Sequence, residues 1–232
     1  SARAKGTTGA ALEFDSTNYH AFGADAAAIW DFTEGNGTTR ATVRRTTTHF
    51  LLSAGTNWLT GSNGFNGGNA LNFTGITGSA TNFKNFNPNT GSVSFWVNMT
   101  NTTGNFETVI CISGTTATCN PAGLDFWTVS DGTVCSGGST FMCVYDGSFV
   151  TTSIPVSSVL GKWTQVTVSW SGTTLQIYVN GQLAVSSNTY NSSVSACTPT
   201  TACYADVGWQ SGFSRNLNGS LAHLRVYTSS LF

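Results

Sequence analysis

The sequence is poor in charged residues, and this shortage narrows the functions it can have. Lys, Arg, Asp and Glu make up 8% of its 232 residues, and the formal net charge is −1. Ordinary soluble domains carry about 25% charged residues. Nucleic acids and anionic membranes are bound by clustered Lys and Arg. The one basic cluster, at Arg40, Arg44 and Arg45, is short and is interpreted as a solvated loop, so no nucleic-acid partner is expected.

The sequence also lacks a long hydrophobic run. No stretch approaches the ~18 consecutive apolar residues that a membrane-spanning helix requires. The N-terminus shows no apolar core of a secretory signal peptide either. If the protein is exported, we therefore expect that a targeting segment has been removed from it.

Six cysteines are present, and they indicate export. They fall into three close pairs, Cys111 with Cys119, Cys135 with Cys143, and Cys197 with Cys203. Six cysteines permit 15 pairings, and the short separations favour these local ones. A metal site would need closer spacing and helping histidines, whereas His20, His49 and His223 are scattered. Disulfides predict an extracellular location, and we expect the chain to be a mature or truncated form.

Alternation of apolar and polar residues predicts strands along most of the chain. Val166, Val168 and Trp170 alternate with polar residues, and the pattern repeats over 175–179. Asn180-Gly181 is a strong hairpin signal between two such runs. Further strands are predicted at 29–32, 70–73, 93–98, 108–112, 125–129, 141–145, 205–209 and 220–227. So many short strands separated by turns indicate an antiparallel two-sheet sandwich.

The first 27 residues differ from the rest, with alanines, local charge and few β-branched residues. They predict a helix that ends at Gly23, since glycine commonly ends helices. Its apolar side would be formed by Ala11, Leu12, Phe14, Tyr19 and Phe22. We therefore divide the chain into a helix and connector over 1–27 and a single β domain over 28–232.

Several motifs, taken in order, resemble the laminin-G-like concanavalin jelly rolls. "IWDFTEGNGTT" (29–39) is similar to the family's opening strand and turn, and "GFNGGNALNFTG" (64–75) to its second. "VSFWVN", "GKWTQVTVSWSGTTLQIYVNGQL" and the closing "FSRNLNGSLAHLRVYTSSL" follow. The resemblance implies an all-β, two-sheet antiparallel jelly-roll sandwich with a short N-terminal α-helix. It also implies that the first and last strands are neighbours.

A second resemblance covers the N-terminus. "SARAKG" and "FDSTNYHAFGADAAAIWDF" (14–32) resemble the join between the N-terminal helix of a type IV pilin or pseudopilin and a laminin-G-like head. This implies a subunit of a cell-surface pilus, with other pilin subunits as partners through the helix and a role in attachment or motility. A ~25-residue apolar helix upstream would anchor the full-length form in the membrane before assembly. The alternatives are a free-standing carbohydrate-binding module or adhesin domain and, less favoured, a glycan hydrolase.

The carboxylates do not favour an enzyme. Glycan hydrolases of this fold need two carboxylates facing one cleft. Glu13 and Asp15 alone have the two-residue spacing, and they fall in the predicted helix. The other acids considered, Glu107, Asp125, Asp131 and Asp146, are isolated in the sequence. Since no Gly-x-Ser-x-Gly elbow or phosphate loop is found either, we expect a protein with no catalytic residues.

Aromatic residues near the predicted strand ends are the candidates for binding a glycan or cell-surface ligand. They are Trp127, Tyr145, Trp209 and Phe213. Aromatic rings stack on the C–H faces of sugars, although in a large sandwich they more often fill the core. Four other tryptophans are assigned to the core: Trp30, Trp96, Trp163 and Trp170. We expect the ligand to bind loops at the end of the sandwich away from the helix.

The resemblance also implies a structural calcium site at the rim, held by acids after the first strand and in the last strand. In this sequence the matching positions are approximately Thr42 and Val43, then Ala222 and His223. Calcium prefers several oxygen ligands, most of them charged. We therefore expect no metal and no other cofactor.

The stability of the fold should accordingly not depend on calcium. The melting temperature is expected to be the same in a chelator and in millimolar calcium, because a cation that binds the native state would raise it. Scanning calorimetry under both conditions measures this. A clear rise in calcium would reveal a site built from other residues, such as Asp131 and Asp206.

Overall fold

The computed structural model describes residues 2–36, 40–41, 50–51, 57–73, 79–100, 107–114, 119, 123–127, 140–192, 194–210 and 215–232. Within them a helix, α1 (Ala2–Phe22), and a 3-10 turn (Gly23–Asp25) precede the strands. The strands of the first half are β1 (Ala26–Trp30), β2 (Arg40–Ala41), β3 (Phe50–Leu51), β4 (Asn57–Leu59), β5 (Ala70–Asn72), β6 (Ser79–Phe83), β7 (Thr90–Met99) and β8 (Thr108–Gly114). Those of the second half are β9 (Leu124–Trp127), β10 (Cys143–Tyr145), β11 (Phe149–Thr151), β12 (Thr164–Ser171), β13 (Thr174–Val179), β14 (Gln182–Ser187), β15 (Cys203–Val207) and β16 (Gly219–Tyr227).

Most of these strands form two antiparallel sheets, which confirms the predicted sandwich. The larger sheet has the order β14-β13-β12-β7-β16-β5-β4, and β1 pairs with the C-terminal half of β16. The smaller sheet has the order β11-β10-β9-β8-β15-β6, and β2 pairs with β3 separately. The first and last strands are neighbours, as expected. The helix therefore enters the domain beside the C-terminal strand.

Alternation sends every second side chain of β12 into the core between the sheets. In β12 these residues are Val166, Val168 and Trp170, all completely buried. The Trp170 ring lies 6.4 Å from that of Phe126, which belongs to the smaller sheet. The β13–β14 turn has positive φ at both Asn180 (51°) and Gly181 (76°), which is the geometry that the Asn-Gly pair favours.

The outer face of the larger sheet is polar but buried. Gln165, Thr167 and Ser169 alternate with the core residues of β12, and none of them is exposed. Gln165 Nε2 donates to Thr167 Oγ1 at 2.6 Å, and Ser169 Oγ accepts from the backbone N–H of Leu231 at 2.8 Å. Hydrogen bonds of this kind are what make the burial of polar groups tolerable. This face is covered by α1 and by the C-terminal residues.

The covered side of α1 is more polar than its sequence predicts. Among the α1 residues whose side chains the structure describes, 8–22, Ala11, Asp15 and Asn18 are buried, and their spacing places them on one side of the helix. Of the expected apolar side, Ala11 is buried, and Phe14 stacks on Tyr178 with ring centroids 5.5 Å apart. Asp15 and Asn18 were not expected there. Asp15 is buried because Arg225, Trp96 and Ser94 of the sheet offer it polar partners. The Asn18 side-chain nitrogen is buried without a hydrogen bond to a described residue.

Asp15 is the centre of the contact between helix and sheet. Arg225 Nη1 donates to its Oδ1 at 2.8 Å, and Trp96 Nε1 donates to its Oδ2 at 3.2 Å. Ser94 Oγ donates to Oδ1 at 3.4 Å, and His223 Nδ1 lies 3.6 Å from Oδ2. The Asp15 and Arg225 side chains are each only 6% exposed. This is a buried ion pair with additional hydrogen bonds.

An irregularity in β16 brings its two basic side chains to the helix. The register against β7 shifts between Ala222 and Arg225, and His223 has a φ of 48°. A bulge of this kind changes the direction in which side chains point. As a result His223 and Arg225 both contact Asp15, and Arg225 also lies over the Tyr19 ring, 4.7 Å from its centroid.

Both partners of this ion pair are charged in the folded protein. Burial by itself would raise the pKa of Asp15, but the hydrogen bond from His223, the charge of Arg225 and the hydrogen bond from Trp96 bring it below its ordinary value of 3.8. Burial would lower the pKa of Arg225, yet Asp15 keeps it above the ordinary value. Because the pKa of Asp15 is depressed on folding, its contribution to stability is present above about pH 4 and is lost as the pH falls through the folded-state value.

Within the described residues, no helix has the length and hydropathy needed to cross a membrane.

Replacing Asp15 should therefore weaken the fold far more than replacing its neighbour Glu13. Asp15→Asn leaves the Arg225 guanidinium buried without its carboxylate, and the expected loss is about 3 kcal/mol of unfolding free energy. Glu13 is exposed, and Glu13→Gln should change stability by less than about 0.5 kcal/mol. Urea denaturation of both variants at pH 7 measures the difference. Equal effects would contradict the central role given to Asp15.

Candidate ligand-binding face

Two of the four aromatic candidates, Trp127 and Tyr145, lie on strands at the outer face of the smaller sheet and not in loops at the end of the sandwich, where the ligand was expected to bind. In β9, β10 and β11 the core receives Phe126, Val144 and Val150. The alternate positions therefore place Trp127, Tyr145 and Phe149 on the outer face. Tyr145 pairs with Phe149 across β10 and β11, and Trp127 pairs with Cys143 across β9 and β10.

Trp127, Tyr145 and Phe149 form one cluster, which we call the aromatic patch. Trp127 and Tyr145 are stacked, with ring centroids 5.7 Å apart and 9° between their planes. Tyr145 and Phe149 have centroids 4.8 Å apart. Trp127 is 3% exposed, Tyr145 is half-buried and Phe149 is 39% exposed. A ligand would therefore meet Phe149 and Tyr145, while Trp127 supports them from below.

Phe149 is a member that sequence reasoning missed. Val150 belongs to the core, and strand alternation then requires its neighbour to face outward. The strand has only three residues, Phe149–Thr151, so it is too short to show an alternating pattern. Phe149 and Val150 are adjacent apolar residues, and the sequence alone does not indicate which of them faces the core and which faces outward.

Polar side chains continue this face beside the aromatic patch. The Arg215 guanidinium carbon lies 4.9 Å from the centroid of the Trp127 ring, in a cation–π contact. Arg215 Nη1 donates to Gln210 Oε1 at 2.7 Å. Gln210 Nε2 in turn donates to Asp125 Oδ2 at 3.0 Å and to the carbonyl of Cys119 at 3.3 Å. These contacts connect the aromatic patch to the segment that the first disulfide closes.

Asp125 is a buried acid with an unusual pKa. It is 1% exposed, and burial raises the pKa of its carboxyl to about 7, although the charge of Arg215 and the hydrogen bond from Gln210 act in the opposite direction. The negative charge of Asp206 adds to the increase. Cys111 pairs with Asp125 on one side and with Asp206 on the other, so both acids flank it on the outer face. Asp125 therefore changes its charge near neutral pH.

Two of the three predicted disulfides are present. Cys111 is bonded to Cys119 and Cys197 to Cys203, with Cα atoms 6.1 and 5.5 Å apart. The third predicted pair includes Cys135, which lies outside the described residues. The two disulfides are compatible with an extracellular protein.

The other predicted ligand-binding residues do not join the aromatic patch in the described structure. Trp209 follows β15 and is half-buried, without a ring contact to the patch among the described residues. Phe213 lies outside them. Of the tryptophans assigned to the core, Trp30, Trp96 and Trp170 are completely buried. Trp163 is only half-buried, because its ring packs at the boundary between the sheet and α1.

The positions expected to correspond to the calcium site do not suit this ion. Ala222 has no side-chain oxygen, and the His223 ring lies against Asp15 and Arg225. Thr42 and Val43 lie outside the described residues. Among the residues described, one cluster of three residues of metal-ligating types occurs, Cys111, Cys119 and Asp125. Its two sulfurs are bonded to each other and offer no thiolate.

Comparison with known proteins agrees with this architecture. The family model of the concanavalin A-like lectin/glucanases superfamily matches residues 72–232. A search of curated protein sequences found no match. The fold is similar to domain 4 of AbnA, an extracellular GH43 arabinanase from Geobacillus stearothermophilus solved with arabinotriose, with a TM-score of 0.58 and 16% identity over 90% of this chain and 94% of that one.

Two further solved structures share the fold at low sequence identity. A Trypanosoma rangeli sialidase matches with a TM-score of 0.60 and 13% identity over 90% of this chain. The match spans only 31% of the sialidase chain. A carbohydrate esterase from the Shiga toxin-encoding bacteriophage phi24B matches with a TM-score of 0.53 and 10% identity, over 88% of this chain and 99% of that one.

The raised pKa of Asp125 predicts a pH dependence of stability. Between its ordinary pKa of 3.8 and the folded value of about 7, the unfolded chain has lost this proton and the folded chain keeps it. The free energy of unfolding should therefore fall by up to about 1.4 kcal/mol per pH unit as the pH rises through this interval, and level off above it. Asp125→Asn cannot ionise, so it should remove this part of the dependence.

Denaturation of the wild type and Asp125→Asn at several pH values between 4 and 8 tests this expectation. Asp206→Asn, which removes the neighbouring negative charge, is the matched control. It should leave most of the pH dependence in place. Parallel pH profiles for wild type and Asp125→Asn would show that Asp125 ionises normally.

Proposed function

Because the chain belongs to the concanavalin A-like lectin/glucanases superfamily, we propose that it is an extracellular, type IV pilus-like subunit with a lectin-like head. Helix α1 packs with other pilin subunits in the filament. The jelly-roll head attaches to glycans or to the surfaces of other cells. It carries out no catalysis.

The observation that carries this proposal is the position of the helix relative to the aromatic patch. Asp15 fastens α1 to the outer face of the larger sheet, whereas Phe149 and Tyr145 lie on the outer face of the smaller sheet. The two faces are on opposite sides of the sandwich. Subunits that assemble around α1 therefore leave the aromatic patch accessible. This arrangement suits a protein that must be anchored on one side and bind on the other.

The chemistry of the patch supports a glycan ligand. Phe149 is an exposed ring at 39%, and the half-buried Arg215 guanidinium lies beside it over Trp127, oriented by the buried Gln210. An apolar ring beside hydrogen-bonding groups complements the C–H face and hydroxyl edge of a sugar. The similar arabinanase domain was solved with arabinotriose, which is in keeping with this ligand class.

The arrangement of the acids supports a role without catalysis. Asp15 is paired with Arg225 beneath the helix. Glu107 accepts hydrogen bonds from the backbone and side chain of Asn218, at 3.1 and 3.0 Å. Asp146 accepts from the backbone N–H groups of Ser148 and Asn191. These three carboxylates are engaged in local structure and do not converge on one cleft, as two hydrolytic carboxylates must. Asp125 and Asp206 share the outer face of the smaller sheet, but both are buried.

A free-standing carbohydrate-binding module is the second candidate. The observation in its favour is that the fold matches domain 4 of the arabinanase over 94% of that domain, a domain of an enzyme and not a filament subunit. Immunogold labelling of cells that carry the full-length gene separates the two functions. Labelling along filaments supports the pilus subunit. Labelling confined to secreted, unassembled protein would favour the module.

Attachment of the head to partner cells should depend on Phe149 and Tyr145. Phe149→Ala and Tyr145→Ala each remove a ring from the patch, and each is expected to weaken attachment about tenfold, which corresponds to about 1.4 kcal/mol. Leu183 is another exposed apolar residue, 53% exposed on the larger sheet, and Leu183→Ala is the matched control. Trp127→Ala and Trp209→Ala complete the series. Binding of the labelled head to candidate cells measures attachment.

Salt provides the second test of the same mechanism. Since only 8% of the residues are charged, attachment should change little between low and high ionic strength. Attachment that moderate salt abolishes would mean that a charged interface carries it. Equal attachment by wild type, Phe149→Ala and Tyr145→Ala would exclude the aromatic patch as the binding surface.

A further inference from the structure

A cavity of about 520 Å³ lies on the opposite side of the molecule from the aromatic patch, between the first half of α1 and the larger sheet. We call it the helix cavity. Leu12 of α1, Phe65 of the loop before β5, and Trp163 of the segment before β12 are among the residues that line it. Its volume is in the range of small-molecule sites, about 300–1,000 Å³.

The aromatic residues of the helix cavity are fixed by their packing. Phe65 is buried and meets the Trp163 ring edge to face, with centroids 5.3 Å apart and 73° between the planes. Phe65 also packs on Trp96, 4.5 Å between centroids. Trp163 itself is half-buried, so part of the indole remains accessible from the cavity. A rigid, partly exposed indole provides an apolar surface at low entropic cost.

Hydrogen-bonding groups surround this apolar surface. The side-chain NH2 groups of Asn66 and Asn180 make no hydrogen bond with another described residue, although Asn180 Oδ1 accepts from the backbone N–H of Gln165 at 3.1 Å. Lys162 is exposed, and its ammonium donates one hydrogen bond, to the Ser158 carbonyl at 2.7 Å. An ammonium has three donors, so two remain for a ligand.

The charge of the helix cavity is positive. Lys162 lines it, and no Asp or Glu is among the described residues that line it. Within the described structure Lys162 forms no ion pair, in contrast to Arg225 beneath the helix. A cation without a carboxylate beside it attracts an anionic group. In this protein of few charges, that combination is the distinctive chemical feature of the cavity.

We infer that the helix cavity binds a sugar ring that carries a carboxylate, as in uronic-acid saccharides. The apolar face of the ring packs on Trp163. The ring hydroxyls accept from the Asn66 and Asn180 amides, and the carboxylate pairs with Lys162. A flat aromatic acid could pack on Trp163 and pair with Lys162, but it would make no hydrogen bond with the two amides and so uses fewer of the groups that line the cavity.

Such a ligand would contact the helix and the head at once, because Leu12 belongs to α1 and Lys162 to the domain. Binding would therefore stabilise the position of α1 on the sheet. The site is separate from the aromatic patch. If the helix cavity binds no ligand, the proposed attachment through the aromatic patch is unaffected. If the aromatic patch proves not to bind, the inference about the helix cavity is likewise unaffected.

The test uses the purified chain with two probes, a galacturonic acid trimer and the uncharged galactose trimer, in calorimetric titrations. The acidic trimer should bind the wild type at least tenfold more tightly than the neutral one. Lys162→Gln should weaken binding of the acidic trimer about tenfold and leave the neutral trimer unaffected. Lys84 is also exposed, and Lys84→Gln, which removes an equal charge elsewhere, should change neither.

Trp163→Ala should abolish binding of both trimers, whereas Phe149→Ala should have no effect. Lys162 is on the surface, so Lys162→Gln remains informative even if Trp163→Ala fails to fold. Three results would overturn the inference. The first is that the acidic trimer does not bind. The second is that wild type and Lys162→Gln each bind both trimers with equal affinity. The third is that Phe149→Ala loses binding while Lys162→Gln binds as the wild type does.

Discussion

The buried ion pair between Asp15 and Arg225 is the constraint on which the rest of the architecture depends. Two charges taken out of water cost several kcal/mol each, and their attraction offsets this only when the geometry is good and the remaining lone pairs are hydrogen-bonded. In this protein Trp96 and Ser94 donate to the same carboxylate. Moving the helix along the sheet by one residue would separate the pair and leave both charges buried. The pair therefore specifies where α1 lies, more than it adds to net stability.

Covering one outer face makes the two faces of the sandwich different. The residues of β12 that face away from the core are Gln165, Thr167 and Ser169. Polar residues such as these are usual on the solvent-exposed face of an antiparallel sheet. Under α1 they become buried and bond to one another and to the C-terminal residues. Exposed apolar rings such as Phe149 then remain on the smaller sheet. A protein that binds through one face and is held through the other needs this asymmetry.

How far the sequence predicts the structure differs between strands, helix and site. Period-two alternation located β12 and β13, and the strands predicted at 93–98 and 220–227 coincide with β7 and β16. The shorter strands β2, β3, β4 and β11 have two or three residues each and carry no readable pattern. Asp15 looked like part of a solvated face, because its partner Arg225 is 210 residues away and local spacing cannot reveal such a contact. Of the predicted ligand residues, the structure unites Trp127 and Tyr145.

The first disulfide connects local covalent structure to the aromatic patch. The Cys111–Cys119 bond holds the Cys119 carbonyl where Gln210 donates to it. The other end of the Gln210 amide accepts from Arg215, which lies over Trp127. An amide held at both ends has one orientation, because its oxygen and nitrogen cannot exchange roles without losing both bonds. The Cys111–Cys119 disulfide and Asp125 thus together hold a chain of contacts that ends beneath Tyr145 and Phe149.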